Sequence, residues 1–545
     1  MKRMTRLLAM LLALTLLLTA CGGGTTSESS SQAAASSSAS SSAVSAGSQS
    51  ATSGGAVSDE VAKKADPNSI VAGFNTEPGK LDPQNNAQIV GIMVERQIFE
   101  PLIDKDPETG ELVPCLATEW SWDDDTHLRL KLREGVKFHN GEDFTAEDVM
   151  LTLERMKVGS ASASLYAPFD PENSVAEDDY TVVIAFTGTF APALNFLTNG
   201  RAYIVPADYL NENGDDALNQ NPIGTGPFKF VDWTVSSHLN MVRNDEYWGE
   251  KASFENLQIR FITDDTARGL ALETGELDIA AMIQEADVNS ILDGEVPHVM
   301  GYMVPGQQVN YFGFNAANVP AFDDIRVRQA MAYAVDWEAA LFAANGEIFS
   351  LCESCVAPTI DYYFPAGHYE YDVEKAKQLM EEAGYADGLS FNCIEEEVQP
   401  SIRLLEILQQ YWAELNITME IQVVDTATWQ ESNMNGTSDT SICNMTATTG
   451  DPHHSLNGML ATSSNITGKI TDEHFNDLAN EALAALDETE RGEIYAELQQ
   501  YVYDNVFIIP MFVKMITYGV WDYIDGFVAD PGQQVKFVDM SIKTA

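Results

Sequence analysis

A helix followed at once by a strand, each with one apolar face, commits a chain to layered α/β packing. Residues 400–424 read this way. Behind Pro400, Leu404, Leu408, Tyr411, Trp412 and Leu415 fall at helical spacing, and Ile417, Met419, Ile421 and Val423 then alternate with polar residues as a half-buried strand. The same grammar recurs elsewhere. Leu128, Leu130 and Leu132 alternate with Arg129, Lys131 and Arg133, a strand with one wet face. Thr145-Ala-Glu-Asp148 has the form of a capping box opening a helix that carries Val149, Leu151 and Leu153. Val327, Ala330, Met331, Ala334 and Val335 give a further amphipathic helix, opened by the turn Phe322-Asp323-Asp324. No internal repeat is present.

The N-terminus sets the compartment. Lys2, Arg3 and Arg6 precede the apolar run Leu7 to Leu18, which has the length of a signal-peptide core and is too short to span a bilayer. Leu18-Thr19-Ala20-Cys21 resembles the lipobox of bacterial lipoproteins, which implies that Cys21 becomes the lipidated N-terminus. Residues 22–58 are almost entirely Gly, Ser, Ala, Thr and Gln without a hydrophobic period, so they bury too little surface to offset the entropy of ordering them. A flexible coil over 22–65 has a reach of roughly 35 to 40 Å, enough to let a folded body stand off a membrane.

The remaining chain is long enough for two or three domains with full cores. The whole chain of 545 residues carries 82 Asp and Glu against 30 Lys and Arg, a net charge of −52. That balance argues against nucleic acid or an anionic membrane surface as partner, since both need positive surface. It permits a cationic ligand and equally serves solubility. Beyond Cys21 there are Cys115, Cys352, Cys355, Cys393 and Cys443. Cys352-Glu-Ser-Cys355 is a possible disulfide, a pair of free thiols, or half of a metal site that lacks its second half. Nucleophile elbow, zinc helix, Walker loop and dinucleotide fingerprint are all missing from the mature chain. Gly224-Thr225-Gly226-Pro227 reads as a tight turn, because Pro227 removes a donor that a phosphate loop would need.

Taken in order, several segments resemble the extracellular solute-binding proteins, family 5, the dipeptide, oligopeptide and nickel receptors of ABC importers. They are Leu81-Asp82-Pro83, Phe99-Glu100-Pro101-Leu102, Pro114 to Ala117 with Glu119-Trp120, and Leu130 through Gly141 to Val149. Pro222 to Phe228, Asn244 to Gly249, Gly275 to Ile279, and Phe314-Asn315 with Val327 to Ala330 continue the series. The resemblance implies a type II periplasmic-binding-protein fold (cluster C): two α/β lobes joined by crossing strands that act as a hinge, with an extra subdomain inserted in the first lobe. The expected division is a signal peptide at 1–20, the lipid-anchored tether at 21–65, lobe I at 66–100, 222–310 and 507–545, the inserted subdomain at 101–221, and lobe II at 311–506. Crossings are expected near Tyr311 to Asn315 and near Val506 to Pro510.

The resemblance also implies where ligand sits. Asn75 and Glu77 follow the first strand, Trp429 matches a Trp segment whose aromatic face packs on ligand, and Thr446, Thr448, Asp451 and His453 fall in a Gly-Asp-Pro stretch. Peptide receptors carry an aspartate where this chain has Thr448, and a hydroxyl does not replace that charge for a ligand's ammonium. Glu395, Glu396 and Glu397, between an expected strand Leu389 to Ile394 and the helix behind Pro400, are where a substitute carboxylate is expected, with Glu395 and Glu397 as the candidates. A solvated acidic loop is the competing reading. His453-His454 beside Asp451 is read as a hydrogen-bonded pair, with no metal site.

The implied protein is a lipid-anchored receptor on the outer face of the cell membrane, or on the periplasmic side where an outer membrane exists. Its partners would be a peptide or peptide-like small solute and the membrane permease subunits of an ABC importer. It is expected to be a monomer, not an enzyme, without cofactor and without nucleic acid. Within the class the alternatives are a nickel chelate, an oligosaccharide or a cationic amine; outside it, a secreted hydrolase, or a surface adhesin or chaperone-like binder.

Overall fold

Two strands dominate the architecture because they are longer than one sheet requires: Val299–Phe314 and Ile508–Trp521. They run antiparallel from Val299 opposite Trp521 to Gly313 opposite Ile508, and the ladder is interrupted between Pro305 and Val309. The computed structural model describes residues 52–55, 62, 64–461 and 467–543, all within the compact unit Val44–Ala545. Cys21, the signal core and most of the serine-rich tract lie outside the described residues.

On one side of the interruption, the crossing strands continue through Ile279–Ala281, Ser69–Phe74, Asn256–Phe261, His238–Arg243 and Phe228–Thr234. Ser69–Phe74 is parallel to both neighbours, so it is covered on both faces, and Ile70, Ala72 and Phe74 are fully buried. On the other side Gln308–Phe314 pairs with Thr440–Thr446, followed by Ser390–Glu396 and Thr418–Val424. The second sheet is packed by the helices Gln399–Ala413 and Ile325–Tyr333. Ala117–Asp124, His127–Leu132, Thr181–Phe186 and Phe169–Asp178 form a separate four-stranded sheet. It has its own core around Leu128, Leu130, Phe169 and Ile184, closed by the helix Ala146–Val158. Thr145 and Asp148 make the expected reciprocal capping box. Among the described residues no helix is long and apolar enough to cross a membrane.

The shared ladder moves the lobe boundaries. Pairing continues through Tyr311 and Pro510 after a register shift between Asn310 and Tyr311, and the wider break falls at Pro305 to Val309, opposite Met515 and Val513. Pro305 has no N–H to give, and a Cβ on Gly306 would lie 2.8 Å from the Lys514 carbonyl oxygen. Val506, where the sequence suggests a crossing, is instead the left-handed cap of the helix Glu488–Asn505. It is a helix-to-strand turn within one lobe.

Two further expectations are corrected. Thr52–Gly55 is not free tether: it pairs antiparallel with Met300–Met303. A bare strand edge offers unpaired backbone groups to any extended segment, and this ladder needs no apolar side chains. Cys352 and Cys355 are free and buried. The Cys352 thiol donates to the Ser354 carbonyl at 2.8 Å, and burial pushes both thiols up to about 12. Gly224 and Gly226 form the tight approach expected of them, with Gly226 N–H donating to the Ile98 carbonyl at 2.9 Å. A Cβ on Gly224 would lie 2.1 Å from that same oxygen. The turn brings Thr225 onto the buried Glu100 carboxyl, which also accepts from Tyr247 and Trp248, each at 2.7 Å. Three scattered sequence segments thus meet on one acid.

Trp412 shows how the helical spacing becomes packing. It is fully buried between Phe312 and Phe391, and its indole N–H donates to the Met331 carbonyl at 2.9 Å. Trp412→Ala is expected to lower unfolding free energy by about 3–5 kcal/mol, read from urea denaturation followed by circular dichroism.

Candidate solute-binding site

At the break between the sheets lies a cavity of about 540 Å³. Its floor is the crossing strands themselves, with Gln308 and Asn310 on one and Phe512 and Lys514 on the other. Lobe I contributes the loop Met282 to Ala286, after the strand Ile279–Ala281. The fully buried Arg268 guanidinium shapes that loop by donating to the carbonyls of Ile262, Ala281 and Met282. Met282 takes a φ of 55°, and Arg268 holds it there.

Lobe II supplies the acidic wall and the aromatic one. The strand extends to Glu396, two residues beyond the expected end, so Glu395 lies on regular strand. Alternation puts it on the inward face with Phe391 and Cys393, and it is 2% exposed. The competing reading of a solvated loop holds only for Glu397, which is exposed and lies outside the cavity lining. Glu395 accepts from the Ile442 N–H at 3.3 Å, and burial raises its carboxyl to about 8. Glu396 lines the cavity, half-buried. Trp429, on the helix Thr426–Met434, is oriented by its indole N–H donating to the Ser441 hydroxyl at 2.9 Å; Asn433 donates to the same oxygen at 3.1 Å.

The other expected ligand residues stand elsewhere. Asn75 and Glu77 follow the strand Ser69–Phe74 outside the lining, and Glu77 accepts from the Ser236 N–H and hydroxyl at 2.7 and 3.2 Å. Thr446 stands behind the lining, accepting from Gln308 at 3.2 Å. Thr448 gives its carbonyl oxygen to the Asn199 amide at 2.8 Å. Asp451 is fully buried, and Arg491 donates to its two oxygens at 2.7 and 2.9 Å. An acid so engaged holds the loop rather than a solute. His453 packs against Phe190 and Phe196, and desolvation lowers it to about 4, so it is neutral. Among the described residues no group of three or more His, Cys, Asp or Glu could hold a metal ion.

Contacts also join the two lobes beside the cavity and away from it. Glu285 of lobe I accepts from the Glu347 N–H of lobe II at 2.7 Å. Opposite, Asp361 accepts from Lys105 at 2.9 Å and from Asn195 at 2.8 Å, and the Ala191 N–H donates to the Leu483 carbonyl at 2.9 Å.

The profile of the bacterial extracellular solute-binding proteins, family 5 Middle, matches residues 111–466. The chain belongs to this family. It is 28% identical over 483 residues to the heme-binding protein A of Haemophilus influenzae, covering 82% of this chain and 87% of that protein. It is 26% identical over 479 residues to the dipeptide-binding protein of Escherichia coli, covering 82% and 89% respectively. Among solved structures, HbpA2 from Haemophilus parasuis superposes with a TM-score of 0.79 at 24% identity, over 88% of this chain and all of that one. The fold of this family 5 protein is thus the type II periplasmic-binding-protein fold, with the cavity at the break in the crossing strands.

Sequence reading missed Lys514, Gln308, Asn310, Asn444 and Arg268. For Lys514 the signal was present: it is the single charged residue in the strand Ile508–Trp521, an isolated charge in an apolar run. The amides carry no such mark.

The Glu395 carboxyl, raised to about 8, sits well above the ordinary glutamate value near 4.3. Between those values the unfolded chain has released the proton while the folded chain keeps it, so this group makes stability fall as pH rises through the window. Glu395→Gln removes that dependence. Its stability relative to wild type is expected to rise from pH 5 to pH 8, by up to about 1.4 kcal/mol per pH unit, measured by denaturant titration at each pH.

Proposed function

We propose that this family 5 protein is a lipid-anchored receptor that captures peptides or peptide-like solutes between its lobes and delivers them to the permease subunits of an ABC importer. The observation that carries the reading is the cavity at the crossing strands. It is enclosed by both lobes, furnished with the amides of Gln308, Asn310 and Asn444, and flanked by an aromatic ring fixed by Ser441. Such a lining offers hydrogen bonds to amide groups in several orientations and stacks an apolar side chain on Trp429. Removing the solute from water strengthens each polar contact. The dipeptide-binding relative of Escherichia coli supports the peptide class.

The hinge follows from the broken ladder. With pairing lost at Pro305 to Val309 and the register shifted again between Asn310 and Tyr311, rotation there opens the cleft while the pairing on either side stays intact. A closed body presents both lobes to the permease in one geometry, and an open body does not, so the permease distinguishes loaded from empty receptor. No chemical step is needed, and the protein acts as a monomer at the outer face of the membrane.

Native mass spectrometry of residues 44–545 after gentle purification tests the solute. Release of peptides is the expected result, and Trp429→Ala should bind the released peptide at least about tenfold more weakly while remaining folded. A metal chelate or sugar in their place refutes the peptide class. The anchor has its own test. Cys21→Ser is expected to move the protein from the membrane fraction to the soluble one, and continued membrane retention refutes lipidation at Cys21.

A further inference from the structure

The cavity wall is ordered by charge, strand by strand. Across the sheet the order is Ser390–Glu396, Thr440–Thr446, the first crossing strand, and the second crossing strand. The cavity residues they carry are, in that order, Glu395 and Glu396, then Asn444, then Gln308 and Asn310, then Lys514. Carboxyl groups thus stand at one end, amides in the middle and an ammonium at the other.

The charges are not already spent on one another. The remaining cavity acids are engaged elsewhere: Asp265 is paired with Arg268, and Glu285 accepts from the Glu347 N–H. No carboxylate of the described residues lies within ion-pair distance of the Lys514 ammonium, and no hydrogen bond holds it. Glu396 likewise has no partner for its carboxylate among the described residues. Lys514 lines the cavity with its side chain exposed there, and the protein around it lowers its pKa from the ordinary lysine value, with Asp265 opposing the shift. A cation left unpaired in a protein that is 52 charges to the acidic side faces a choice of many carboxylates and touches none. An anion that enters the cavity is the partner open to it.

We infer that the solute is dipolar and lies across the sheet, with its carboxylate on Lys514 and its cationic group toward Glu395 and Glu396. This deepens the peptide reading and rests on it. In a short peptide the amide groups between the two ends meet Gln308, Asn310 and Asn444, and the unmasked termini meet the two charged ends. A solute lacking the carboxylate leaves the ammonium without a partner in the cavity and loses a charge-assisted hydrogen bond.

The test uses three probe pools on the purified protein: dipeptides with free termini, the same dipeptides with C-terminal amides, and the same with N-acetyl caps. Binding is read by isothermal titration. Wild type is expected to prefer free termini over amides by at least about tenfold. Lys514→Met should bind both alike, with an unchanged unfolding midpoint, and Lys514→Arg should restore the preference. Glu396→Gln should weaken the preference for free over acetylated peptides and leave the amide preference intact. Equal binding of acid and amide by wild type, or a preference that survives Lys514→Met, overturns the role of Lys514 while leaving the peptide reading in place. Failure of wild type to bind any pool overturns the peptide reading, and this inference with it.

Discussion

The antiparallel ladder between Val299–Phe314 and Ile508–Trp521 is the constraint on which everything else depends. Both strands lie in the middle of one twelve-stranded sheet with a lobe on either side, so the lobes share a backbone hydrogen-bonding network. A continuous ladder would make one rigid sheet. The break at Pro305 to Val309, where a proline lacks its donor and Gly306 lets the Lys514 carbonyl approach, leaves a local gap in an otherwise paired structure. The gap is also the place where strand side chains face a cavity. The proposed hinge and the proposed solute site coincide for this reason.

Around that ladder, buried polar groups hold the loops that shape the site. Arg268 spends its guanidinium on three carbonyls of lobe I, Arg491 holds Asp451, and Glu100 collects three donors from distant segments. Each is costly to bury and is satisfied by hydrogen bonds, so each specifies one arrangement of its loop. Residues that look like ligand contacts by motif, Asp451 above all, belong to this group. The groups left free for a solute are those that alternate onto the cavity face without a protein partner, Glu396 and Lys514.

Much of the fold was legible because local signals are strong where a face is buried. The alternation of Leu128, Leu130 and Leu132, the capping box at Thr145 and the helical spacing ending at Trp412 each became the expected element. Trp429 and Glu395 were identifiable as site residues and line the cavity. The lobe crossings were less legible, since an apolar strand that passes from one sheet to another has the same pattern on both sides of the crossing. The pairing of Thr52–Gly55 was hidden because backbone hydrogen bonds recruit an edge strand without any apolar period. Glu77, Thr446, Thr448 and His453 stand outside the cavity lining, since a motif fixes a residue's neighbours in sequence and leaves open which wall of the cleft it faces.

Sequence by itself determined the acidic balance, the α/β rhythm and the family, because each is carried by residue types and their spacing over short distances. Tertiary structure alone decided which of the many carboxylates is buried and raised, that Asp451 is committed to Arg491, and that Lys514 faces a cavity unpaired. Those outcomes depend on which groups the sheet order and the hinge bring within a few ångströms of one another. Charge and hydrogen-bond energies change steeply over that range, and spacing along the chain does not encode it.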